Sequence, residues 1–73
     1  MNPAMLRQLW SLVEATQAPV LLNLDDASLV QWLLRQFGTR QPLNSEETSL
    51  LSSYIRSRLT LIRDLAQNRL VSV

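Results

Sequence analysis

Two pairs of adjacent acids, Asp25 with Asp26 and Glu46 with Glu47, are the residues whose type and spacing could serve acid–base chemistry. Serine and threonine hydroxyls are plentiful, but histidine, cysteine and lysine are absent, so no common base stands ready to activate one. The same absences remove a thiol nucleophile, a disulfide framework and a Cys/His metal site. A carboxylate-only metal site has no recognisable spacing. One glycine cannot build a phosphate-cradling loop. Each acid pair lies where a helix is predicted to begin, and acids there cap free amides and face the positive end of the helix dipole. The acids therefore read as structural. No catalytic residue, cofactor or metal is expected, and the chain reads as a non-enzyme.

The elements that carry these residues belong to a single small domain of 73 residues. Hydrophobic residues make up 47% of it and the formal net charge is only +1, which argues against disorder. A chain this short buries only about 60% of its unfolded surface and is marginal alone. Disulfides are impossible and metal ligands are few, so oligomerisation is the remaining support. Sixteen leucines can supply the surface for it. No apolar run approaches the roughly 18 residues of a membrane span. The stretch from Met1 to Trp10 lacks the layout of a secretory signal, and cytoplasm is the expected location.

Periodicity predicts an all-α fold, a three-helix bundle or a helical hairpin with a long C-terminal helix, over about residues 3–18, 25–37 and 45–69. Asn2 suits an N-cap and Pro3 the first helical position. Met5, Leu6, Leu9, Trp10, Leu12 and Val13 then share an arc of about 160°, and Pro19 is expected to close the helix at Ala18. Residues 19–24 could open a helix or form an extended linker, with Asn23 and Asp25 both plausible caps. Leu29, Val30, Leu33, Leu34 and Phe37 share the next face. Gly38 is the expected left-handed residue after the helix end. Trp32 stands at the edge of that face, as a core rim or as an aromatic anchor for a partner. Asn44 with Glu47 reads as a capping-box variant, with Ser45 an alternative cap.

The third predicted helix is apolar over about 200°, wider than one stripe requires. Leu50, Leu51, Tyr54, Ile55, Leu59, Leu61, Ile62, Leu65, Ala66 and Leu70 fill that arc. A second copy would cover it, so the fold is expected to dimerise; flanking by the first two helices is the intramolecular alternative. The expected interface residues are Trp32, Leu51, Tyr54, Ile55, Arg58, Leu61, Ile62 and Leu65. All seven basic residues are arginine. Arg56 and Arg63 fall on the polar side, with solvated heads expected. Arg58 falls within the apolar arc and needs either an acid partner, from Glu14, Asp25 or Asp26, or an exit to water. Its removal is expected to cost more stability than that of Arg56 or Arg63.

The pattern thus favours a protein-binding or assembly module acting as a homo-oligomer, with a further protein partner unidentified. The alternative is a small helix-turn-helix-like nucleic-acid-binding regulator. Against it, the third helix opens on acids and the arginines make no single basic stripe. Net charge +1 gives little counterion-release drive. Membrane-surface binding lacks a polybasic face. The stretches Tyr54-Ile-Arg-Ser-Arg-Leu59 and Leu61-Ile-Arg-Asp-Leu-Ala66, after a leucine-rich acidic segment, resemble small uncharacterised all-helical proteins of cyanobacteria. The resemblance covers about the C-terminal two-thirds and implies a cytoplasmic accessory protein, with no functional residue to carry over.

Overall fold

Asn2 begins the first helix by accepting a hydrogen bond on Oδ1 from the Met5 amide at 2.8 Å, with Pro3 at the first helical position. The computed structural model describes residues 2–71, which are helical but for short connections. Helix α1 is Pro3–Ala15, α2 is Ala18–Asn23, α3 is Asp26–Arg40 and α4 is Ser45–Val71. Among the described residues there is no strand, and no helix is long and apolar enough to cross a membrane.

Two boundaries differ from the sequence expectation. Helix α1 ends at Ala15 rather than Ala18. A helix running on to Pro19 would drive the proline ring into the carbonyl four residues back, which belongs to Ala15. Instead Thr16 turns out in extended conformation and its buried hydroxyl donates to the Leu12 carbonyl at 2.7 Å. Pro19 then falls in the first turn of α2, where it lacks no needed donor. The ambiguous segment 19–24 is therefore mostly helix, and the described residues form four helices rather than three.

The second difference is at Gly38. It lies inside α3, and no described residue has positive φ. The helix continues to Arg40 and stops at Gln41, because Pro42 disfavours helical geometry in the residue before it. The other two caps follow from the sequence. Asp25 accepts from the Ser28 amide at 2.7 Å. Asn44 and Glu47 exchange both capping-box bonds, at 2.7 and 3.1 Å.

Helix α4 has 27 residues, about 40 Å at 1.5 Å per residue, and spans the longest dimension of the molecule, 38 Å. It packs against α2 and α3, and α1 packs against α3. The core takes Met5, Leu9, Leu12 and Val13 from α1 and Leu21 from α2. It adds Leu29, Val30, Leu33 and Phe37 from α3, and Leu51, Ile55, Leu59, Ile62 and Ala66 from α4. The α4 residues step by four, four, three and four, the spacing of one buried stripe.

The Asp25 cap makes stability sensitive to acid. Its carboxyl is held below the ordinary carboxylate range, first by the Ser28 backbone amide and then by the Ser28 side chain. A depressed carboxylate contributes stability that is complete above its unfolded value of about 3.9 and is lost as pH falls through the folded value. Thermal melts at neutral pH and near pH 2 should therefore show a smaller acid loss for Asp25→Asn, which keeps a neutral cap, than for the parent chain. Identical acid losses would mean that the cap does not set α3.

Candidate functional site

The eight interface residues expected from sequence fall into three places. Leu51, Ile55 and Ile62 are fully buried in the core of the single chain and have no surface to offer. Their assignment to an interface is corrected: α2 and α3 together cover that side of α4, as the intramolecular alternative requires. Trp32 is half-buried at the rim of the core. Its outer side lines a shallow groove with Leu24, Ala27, Ser28, Gln31 and Arg35, which includes no residue of α4. The remaining four, Tyr54, Arg58, Leu61 and Leu65, stay together along α4.

Leu50 joins them, although the sequence reading left it out of the interface set. Leu50, Leu61 and Leu65 are 48%, 46% and 41% exposed, large values for leucine on a well-packed helix. At 100° per residue, Leu50, Tyr54, Leu61 and Leu65 lie within an arc of about 60°, beside the buried stripe. The wide apolar face is thus two faces, one covered and one open. Leu70, also exposed, falls well outside this arc.

Tyr54 ties the open face to α1. The Trp10 indole Nε1–H donates to the Tyr54 hydroxyl at 3.1 Å, and the two rings meet edge-to-face at 6.4 Å and 83°. The Arg58 guanidinium lies over the Tyr54 ring, 5.1 Å from its centre, and donates to the Ser57 hydroxyl at 3.4 Å. It is exposed and meets none of Glu14, Asp25 or Asp26. Position 58 borders the buried stripe, so its head leans outward over the ring rather than into the core.

The arginine held by an acid is Arg63, expected to be solvated. Its Nη2 donates to Asp26 Oδ1 at 2.7 Å and its Nη1 to the Leu21 carbonyl at 3.1 Å. Its side chain is only 25% exposed. Position 63 flanks the buried stripe on the edge opposite Arg58, where α2 gives way to α3. An extended linker would not have placed that carbonyl in a helix end.

Arg69 does the same for α1, donating to the carbonyls of Val13, Glu14 and Thr16 at 3.4, 3.1 and 2.9 Å. The Val13 carbonyl also accepts from the Thr16 cap amide at 3.2 Å, and the other two lie at the helix end, where intrahelical donors run out. Arg63 falls just past one edge of the apolar arc and Arg69 within it, and their roles are legible only once the neighbouring helix ends are known.

Three of the four paired acids are engaged as caps or ties, and Glu46 stands in the first turn of α4. Asp25 caps α3, Asp26 holds Arg63, and Glu47 closes the capping box. No protein-family model, curated protein or solved structure matches the chain. The strongest feature for function is therefore the open leucine face itself.

Removing Arg63 or Arg69 should cost about 1–2 kcal/mol each, because helix-end carbonyls lose charged donors. Removing Arg58 should cost less than about 1 kcal/mol, the range of an exposed cation–π contact. Denaturant midpoints of the Arg63→Ala, Arg69→Ala and Arg58→Ala variants check this order. A midpoint for Arg58→Ala as low as the other two would contradict it.

Proposed function

We propose that this protein is a non-enzymatic assembly module that works as a homodimer, with the open face of α4 as its interface. The observation that carries the reading is the row of Leu50, Tyr54, Leu61 and Leu65 on the outer side of a helix whose other side is fully used. In this reading the protein is a cytoplasmic accessory factor, as its resemblance to small helical cyanobacterial proteins implies.

A second copy is the occupant that the spacing fits. Positions 50 and 54 repeat in reverse as 61 and 65 about a midpoint between Ser57 and Arg58. In an antiparallel pair centred there, Leu50 of one copy faces Leu65 of the other, and Tyr54 faces Leu61. Antiparallel helices also oppose their dipoles. The acidic first turn, with Glu46 and Glu47, then lies beside the basic last turn, with Arg69. A parallel pair would set the two acidic first turns side by side and the two basic last turns side by side. Association also offsets the thin core of so small a domain.

Sedimentation equilibrium tests the reading. The parent chain should be dimeric at micromolar concentration. Leu61→Glu with Leu65→Glu should be monomeric, yet still melt cooperatively, because both positions are open to solvent. A parent chain that stays monomeric up to high concentration would remove the proposal.

A further inference from the structure

A second surface feature, a cleft, shares no residue with the α4 face. It encloses about 520 Å³ between the first turns of α1 and the end of α3, lined by Ala4, Arg7, Gln8, Ser11, Phe37 and Arg40. That volume falls in the range of small-molecule sites, roughly 300–1,000 Å³.

Its chemistry is one-sided. Four lining side chains can donate hydrogen bonds, and none is a carboxylate. Arg7 and Arg40 are exposed, and neither has a hydrogen-bond or ion-pair partner among the described residues. They differ in this from Arg63 and Arg69, which are committed to helix ends. The first turn of α1 carries no acid, and its Asn2 cap is neutral, so the positive dipole end has no countercharge. The negative end of α3 is answered by Arg40 in its own last turn. Two arginines, a glutamine amide and a serine hydroxyl line one cleft, and guanidinium forks pair oxyanion oxygens bidentately.

We propose that this cleft binds a small organic dianion through Arg7 and Arg40, with Gln8 and Ser11 holding its remaining polar atoms. The shared chemistry is a compact group of oxyanion oxygens, borne by a phosphate monoester or by a dicarboxylate. Binding here is independent of dimerisation, since the two surfaces have no residue in common.

Titration of the ¹⁵N-labelled protein with phenyl phosphate and, separately, with succinate tests this at low salt. At least one probe should give saturable amide shifts centred on residues 4–11 and 37–40, with Kd below about 1 mM. Arg7→Gln and Arg40→Gln should each weaken binding by about tenfold or more, and Arg56→Gln, outside the cleft, should not. Arg7→Lys and Arg40→Lys, which keep the charge, should retain part of the affinity and serve if a glutamine variant fails to fold. A response to phenyl phosphate alone or to succinate alone supports the site and names its anion. No saturable shift with either probe up to about 10 mM, or equal binding by all variants, would overturn the proposal.

Discussion

Helix ends leave carbonyls without donors, and in this protein one long helix supplies the donors for two others. Helix α2 has six residues, far short of the length at which a helix holds itself together in water. It survives because Leu21 is buried against the core and because Arg63 takes up its carbonyl while holding Asp26 at the start of α3. Arg69 closes the end of α1 in the same way. Position along α4 therefore determines which helix-end carbonyls receive a charged donor. The buried stripe from Leu51 to Ala66 then gives them a common surface to pack on.

That arrangement uses α4 on one side and at both edges of its buried stripe. The leucines beyond it, Leu50, Leu61 and Leu65, remain nearly half exposed. A domain with so few residues gains most by covering such a face, since its own core cannot grow further. The placement of Arg58 fits this economy. Its guanidinium lies over Tyr54, which keeps charge near the middle of the open face without burying it. The Tyr54 hydroxyl, bonded by Trp10, fixes the ring on which that charge rests.

Much of the fold was legible in the sequence where local chemistry decides it. Asn2, Asp25 and the Asn44–Glu47 pair are caps on sight, because short polar side chains at those places satisfy amides within reach of the same turn. The faces of α1 and α3 were legible for the same reason, through regular spacing. What could not be read depended on distant partners. Residues 19–23 are helical where α2 packs on α4, and Gly38 stays helical because Pro42, not glycine, marks the stop. Arg58 and Arg63 exchanged their expected roles for a related reason. A 100° plot places both on the helix, but only the junction of α2 and α3 determines which edge meets an acid. The cleft of Arg7 and Arg40 unites residues on two helices whose pairing no local pattern specifies.

The proposed antiparallel meeting of two copies along the open face of α4 can be trapped by a disulfide. The chain has no cysteine, so a single introduced one can bond only to its counterpart. Under mild oxidation at micromolar concentration, Ser57→Cys should form a covalent dimer, because position 57 lies beside the proposed two-fold axis. Asn68→Cys should not, since its two copies would stand about 31 Å apart along the paired helices, far beyond the reach of a disulfide. Trapping of both variants would mean a parallel pair, and trapping of neither would contradict the interface altogether.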